Sequence, residues 1–298
     1  MDITNPIFND EAKAREFLEA QRWPDGPHCP HCGAVSGIAK VEGKKHRPGL
    51  YYCNPCKGQF TVTVGTLFER SKIPLQKWLL ASHLLCSSKK GISTHQIHRL
   101  LKVTYKTAWF MTHRIRESMR DLETSPVGGK GKTVEADETY ITRSPKTRKP
   151  KADNTTWHQN QVLSLIERGG NVRSEYLTEK TVKQAMWQII DRESRLVTDG
   201  APLYKGVVTG GHESVNHSKY EWARGDVHIN TLEGFFSIFK RGLVGTYQHM
   251  SKKHLKRYLG EFDFRYNTRK MTDFERMAVA VQGIGGKRLT YRRTNLGG

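Results

Sequence analysis

The sequence predicts a multidomain protein: a small N-terminal ribbon, a helical module, and a C-terminal α/β domain built on a mixed sheet flanked by helices. Three observations predict it. Two C-x-x-C pairs stand 20 residues apart within residues 1–70. Residues 71–125 carry helical apolar spacing almost throughout. Residues 133–285 alternate short β-rich runs with helical pattern, the order expected of a sheet covered by helices.

In the first segment the pairs are "CPHC" (Cys29, Cys32) and "CNPC" (Cys53, Cys56). Each turn offers two thiolates, and together they complete the tetrahedron of a structural Zn²⁺ site, so a zinc ribbon is expected. A redox C-x-x-C is the rival for one pair alone, and the matching second pair argues against it. Around them "GLYYCNPCKGQFTVTVGT" mixes aromatic, β-branched and small residues, as short strands do. His28 and His31 flank a shell that four cysteines already fill, and Cys86 in "KWLLASHLLCSS" reads as a core thiol. So small a ribbon buries little, and the metal supplies much of its folding energy.

In the second segment Pro74 opens a helix through "LQKWLLASHLLCSS". Ser93 or Thr94 caps a second helix through Leu101, "KVT" turns the chain, and Tyr105 to Met119 forms a third. Two helices joined by a tight turn, with Tyr105, Lys106, Thr107, Arg114 and Arg116 on the second, suggest a helix-turn-helix that docks on DNA. A plain helical hairpin with a solvated basic face is the alternative. "SPVGGKGK" (125–132) reads as a linker and domain boundary.

In the third segment "TVEADETYI" reads as a short strand ending in acids, and "QVLSLIERGGNVRSEYLT" as a hairpin turning at Gly169-Gly170. "EKTVKQAMWQIIDR" is an amphipathic helix, and "SRLVTDG" another strand ending in an acid. Five basic residues lie between Arg143 and Lys151 in a loop suited to following a phosphate backbone, and 286–298 is a basic tail expected to fray.

Asp137 and Asp199 each stand where an apolar strand is expected to stop. Either alone is ordinary turn or cap chemistry. Together with a helical acid they suit phosphoryl transfer with two metal ions, for which Mg²⁺ needs only a few carboxylate ligands. The later helix "HINTLEGFFSIFKRG" supplies that acid. Glu233 and Lys240 are seven apart and Asn230 shares their stripe, while Ile229, Leu232, Phe236 and Phe239 form an apolar stripe. The alternative is an exposed helix with an incidental acid.

The chain has 298 residues with 49 Lys plus Arg against 29 Asp plus Glu, a formal charge of +20. That excess points to a polyanion as partner. No apolar run reaches the roughly 18 residues of a transmembrane helix, and "MDITNPIFND" carries no export pattern. Cysteines in close pairs fit a reducing compartment, so a cytoplasmic, nucleoid-associated protein with no membrane partner is expected.

The cysteine pairs, "ADETYI", "VTDGAPLY", "VNHSKYEW" and "HINTLEGFFSIFKRGLVGTYQHMSKKHLKRYLGEFDFRYNTR" together resemble the bacterial insertion-sequence DDE transposases with an N-terminal zinc ribbon, over roughly residues 15–285. The resemblance implies an RNase H-like catalytic domain, DNA as substrate (terminal inverted repeats and target) and two catalytic Mg²⁺ ions. It carries Asp137 and Asp199 onto the family's first two acids and Lys240 onto the basic residue after the third. The family uses Asn or an acid as third ligand; spacing and charge favour Glu233, with Asn230 as a supporting or substitute ligand. Lys240, with its neighbour Arg241, is expected at a DNA phosphate. Synapsis of two ends makes a homodimer or higher oligomer the expected assembly. An RNase H-like nuclease without strand transfer, and an inactive DNA-binding regulator, remain the other readings.

Overall fold

The computed structural model describes residues 3–43, 45–120, 125–141, 160–177 and 181–290; the basic run from Arg143 to Lys151 lies outside them. The chain forms two compact units, Met1–Arg120 with Lys270–Gly298, and Asp121–Arg269.

The first unit opens with α1 (Glu11–Arg22), whose N-terminal amides at Ala12 and Lys13 donate to the Asp10 side chain. The ribbon follows as three short antiparallel strands in the order β1 (Ile38–Lys40), β2 (Tyr51–Cys53), β3 (Gln59–Phe60). Trp23, Tyr51 and Phe60 pack edge-on or stacked at 5.2–5.9 Å between ring centroids, giving it a small aromatic core. Next, α2 (Leu75–Ser87) buries residues around most of its circumference, Cys86 among them, as a central helix must.

A reciprocal Ser93–Gln96 capping box starts α3 (Thr94–Leu101), Lys102 takes the left-handed φ of 50° at the turn, and Thr104 caps α4 (Tyr105–Met119). The expected pair of helices and tight turn is therefore present. Of the residues proposed to reach DNA from it, one is buried and another is partly engaged by its neighbours. Arg116 is fully buried. Arg114 lies over the Phe110 ring at 4.4 Å and donates to the carbonyls of Leu289 and Glu69. The two side chains leave α4 on different sides: Arg116 lies among the buried residues of the helix, and half-buried Arg114 is held by the contacts just described. Tyr105 and Lys106 are exposed at the first turn and Thr107 is half-buried, its hydroxyl 2.8 Å from that of Thr104.

The last helix, Asp273–Gln282, also packs here, although the sequence pattern assigns residues through 285 to the catalytic domain. Its apolar side (Met277, Ala280, Val281) is buried, Phe274 meets Phe17, and Arg276 donates to the Cys86 carbonyl. A fresh cap at Thr272, after the break at 268–271, frees this helix to join a different core. The start of the basic tail is tied down rather than frayed: the Lys287 ammonium sits 2.9–3.4 Å from the carbonyls of Glu117, Ser118 and Arg120, where the C-terminal end of α4 attracts a cation.

The second unit is a five-stranded mixed sheet. Its strands are β4 (Thr133–Ile141), β5 (Asn160–Glu167), β6 (Val172–Tyr176), β7 (Arg195–Thr198) and β8 (His212–Ser214), in the order β6-β5-β4-β7-β8. β4, β5 and β6 pair antiparallel, while β7 and β8 run parallel to β4. The hairpin turns at Gly169, φ 73°, where a side chain would be strained. On one face α5 (Val182–Ile189) covers Val134, Ala136, Leu163, Leu165 and Leu196. On the other, α6 (Asn230–Gly242) and α7 (Leu255–Asn267) cover Ile141, Val162, Ile166, Val172 and Tyr176. Residues 125–132 are not a loose linker: Val127 exchanges backbone hydrogen bonds with Ile189 and Asp191, and a Cβ on Gly128 would lie 2.1 Å from Ser194 Oγ.

Candidate active site

Strand alternation sorts the acids of "VEADE" by face. Val134 and Ala136 enter the α5 core, so Glu135 and Asp137 point to the α6 face and Glu138 to the α5 face. Asp137 is not at a strand end, as the sequence pattern suggests; β4 continues to Ile141 along β5. What stops near Asp137 is its parallel neighbour. The last β4–β7 pair is Glu135 with Val197; β7 ends at Thr198, and Asp199 follows directly, near enough for its charge to act on Asp137. Val197 packs with Val215, Val227 and Ile229 beneath the start of α6, so β7 delivers the chain to Asp199 along the edge of that face. Gly200 then turns the chain with φ 88°, and a Cβ there would sit 3.2 Å from the Val215 carbonyl oxygen. The "DG" pair is thus both acid and close-packed turn.

The electrostatics agree with this adjacency. Burial, and next the charge of Asp199, raise the Asp137 carboxyl from its ordinary 3.8 to about 7; the Glu138 amide, which donates to Asp137, and the charge of Lys240 oppose the rise, and the Glu138 charge adds to it. Lys240 is exposed on α6, so its ammonium field reaches the acids from that helix. On the sheet's other face the fully buried Tyr204 donates its hydroxyl to Glu138. Burial raises Glu138, the Tyr204 hydrogen bond opposes this, and the Tyr204 phenol is pushed far up by burial and by Glu138.

Asn230 and Glu233 both lie exposed in the first turn of α6, and Arg241 beside Lys240 is exposed with its Nε on the Ser237 carbonyl. The helix has no side-chain cap of its own. Instead Glu135, fully buried, accepts from the Leu232 amide and the Thr231 hydroxyl, each at 3.0 Å. Its charge is met by Arg168 at 2.8 Å, which also donates to the carbonyls of Asp226 and His228. Glu135 therefore fastens the start of α6 to the strand that carries Asp137. The expected apolar stripe Ile229, Leu232, Phe236 and Phe239 is buried, with Phe235 added.

Sequence reasoning passed over Glu135, Glu138 and Tyr204. A signal for Glu135 was present: a two-residue period places it on Asp137's face, and an acid inside an apolar strand requires a cation.

Clustered acids on a half-buried face suit a divalent cation, which removes the repulsion that raises Asp137. Asp137 and Asp199 present the hard oxygen donors that Mg²⁺ prefers. In the ribbon, the four Sγ atoms of Cys29, Cys32, Cys53 and Cys56 lie within 4.8 Å of one another, with Cys29–Cys56 at 3.6 Å and Cys32–Cys53 at 3.7 Å. A tetrahedron with Zn–S bonds of about 2.3 Å has edges of about 3.8 Å, so the cage fits Zn²⁺. His31 is exposed and half-buried His28 stacks edge-on against Trp23 at 6.1 Å. Replacing Cys53 by Ser is expected to abolish stoichiometric zinc and make residues 23–66 sensitive to protease, as read by elemental analysis and limited proteolysis; one retained zinc per chain contradicts it.

Residues 128–267 match the ISXO2-like transposase domain, and residues 9–59 match the transposase zinc-ribbon domain. The chain is 28% identical over 277 residues to a protein of transposable element ISH50 from Halobacterium salinarum, covering 87% of this chain and 91% of that one. No solved structure matches the chain. Among the described residues no helix is long and apolar enough to cross a membrane.

Proposed function

We propose, from the premise that this chain belongs to the insertion-sequence transposases that join a zinc ribbon to an ISXO2-like transposase domain, that it cleaves transposon-end phosphodiesters and joins the freed 3′-OH to target DNA. The observation that carries the reading is the buried Asp137 carboxyl on the α6 face, raised by the charge of Asp199 and opposed by that of Lys240. The strand order β6-β5-β4-β7-β8, with three antiparallel strands and two parallel to the first, supports an RNase H-like domain.

Asp137 and Asp199 would hold the cations, with Glu233 as third ligand and Asn230 in support. Two Mg²⁺ ions bound there would supply charge stabilisation to both the attacking and the leaving oxygen of an in-line displacement. Water first displaces the 3′ oxygen from the end phosphodiester; that 3′-OH then displaces a 3′ oxygen in the target. Lys240 orients a DNA phosphate beside the acids, and Arg241 lies next to it on the exposed side of α6. Tyr105, Lys106 and Thr107 would contact DNA from the first turn of α4, half-buried Arg114 would contribute only at its edge, and the burial of Arg116 argues against that role for it. Pairing two ends calls for a homodimer or higher oligomer.

The test incubates the full chain with labelled DNA carrying the ends of its own element, in Mg²⁺. Joined strands support the proposal; cut strands without joining reduce it to a nuclease, and neither product reduces it to a DNA-binding regulator. The third ligand is read in the same assay. Glu233→Gln is expected to lose cleavage by about two orders of magnitude, several-fold more than Asn230→Ala. The reverse ranking assigns the metal to Asn230.

A further inference from the structure

Two of the most exposed large side chains in the second unit are aromatic neighbours on one loop: Tyr220 at 86% and Trp222 at 58% of full exposure. The loop that carries them is not slack. Its backbone closes on itself through Lys219 N to Asn216 O (3.0 Å), Tyr220 N to His217 O (3.1 Å) and Glu221 N to Asn216 O (3.1 Å). The Glu221 carboxylate accepts from the Asn216 amide at 3.2 Å, and Arg224 bridges to Glu221 and to the Ser214 carbonyl. Tyr220 is held at φ 57°, a left-handed conformation that costs a non-glycine residue roughly 1–2 kcal/mol. Strain kept at a solvent-facing aromatic, with nothing packed over it, serves no folding purpose visible in this unit.

Both ends of the loop lead to the acids. It leaves β8 at Val215, whose carbonyl lies against Gly200 beside Asp199, and closes with paired Arg224–Val227 hydrogen bonds just before α6. The His217 ring lies 4.6 Å from the Trp222 ring and stiffens it, and Lys219, the residue before Tyr220, is an exposed cation. The nearby acids Glu213 and Asp226 are both engaged by Arg195.

We propose that residues 216–224 form a stacking platform for unpaired DNA bases next to the candidate active site. The inference rests on the DNA-processing reading above and deepens it. Aromatic faces accept any base, and stacking tolerates sequence, but only an unpaired base can offer its face. DNA lying across Asp137 and Asp199 passes this loop, and strand ends there are where pairing is most easily lost.

The experiment uses the full zinc-loaded chain with Mg²⁺ omitted, so that no strand is cut. The probes are a blunt duplex and the same duplex with a short 3′ overhang carrying 2-aminopurine at its first unpaired position. Binding is expected to quench 2-aminopurine with the parent, with Tyr220→Phe and with Trp222→Phe. In the Tyr220→Ala/Trp222→Ala variant the quench is lost and overhang affinity falls by about tenfold, while blunt-duplex affinity is unchanged. Quenching and affinity equal to the parent overturn the inference while leaving the DNA reading intact. So does an alanine variant that changes only the molar mass by light scattering, which assigns the loop to a protein interface. A parent that binds neither duplex overturns the DNA reading and this inference with it.

Discussion

Asp137→Asn and Asp199→Asn are each expected to slow Mg²⁺-dependent strand cleavage by at least about a thousandfold. A carboxamide keeps the shape but loses the charge that holds a cation, and charge stabilisation of several kcal/mol corresponds to about three powers of ten in rate. Cleavage of labelled end DNA at parental rate by either variant sinks the active-site assignment. A second consequence runs in the opposite direction. Burial and Asp199 hold the Asp137 carboxyl at about 7 against an ordinary 3.8. Between those values the folded state retains a proton that the unfolded state has released, so stability falls as pH rises from about 4 to 7. Asp137→Asn removes that penalty. In Mg²⁺-free buffer the variant is expected to melt above the parent at pH 8, and level with it near pH 4, by calorimetry. A parent that is the more stable at pH 8 removes the claim that these acids repel. A site that is inactive when stabilised is what an acid cluster built for a cation predicts.

Much of this architecture is legible in the sequence, for identifiable reasons. The zinc cage is local: two turns and four thiols need only the right spacing. The α3–α4 turn is also local, written in Ser93, Lys102 and Thr104. The partnership of Asp137 and Asp199 is legible because each sits in a short apolar run followed by small or polar residues. Its geometry is not, because β4 extends past Asp137 only by virtue of β5, whose residues there lie 19 or more positions along the chain. The sequence pattern assigns the helix Asp273–Gln282 to the third segment, and its packing in the first unit is hidden for a similar reason. Its pattern states that one side is apolar but not which core will bury it. Arg116 misleads through composition, since a basic residue counts toward a DNA-binding face until packing turns it inward.

Glu135→Ala is expected to destabilise the second unit by about 3–5 kcal/mol, the usual loss when one partner of a buried ion pair is removed. It strips the Arg168 guanidinium of its counter-charge and leaves the Leu232 amide and Thr231 hydroxyl without the acceptor they share. Set against a typical total of about 5–15 kcal/mol, the change is large enough to appear in a urea melt of the intact chain. Glu135→Gln retains an oxygen for the Leu232 amide but no charge for Arg168, so a smaller loss is expected. Combining it with Arg168→Met removes both charges, and the double variant should be more stable than the sum of the single losses by about 1 kcal/mol or more. Additive losses would mean that Arg168 and Glu135 act apart. The functional readout distinguishes anchoring from mere folding. Glu135 joins the strand bearing Asp137 to the first turn of the helix bearing Asn230, Glu233 and Lys240, so, on the proposed reading, a loosened anchor shifts those side chains relative to Asp137. Under conditions where Glu135→Gln remains folded by circular dichroism, its cleavage rate should still fall by about tenfold or more, because displacements near 1 Å are costly in a positioned site. Full activity in the folded variant would reduce Glu135 to a structural residue of the sheet.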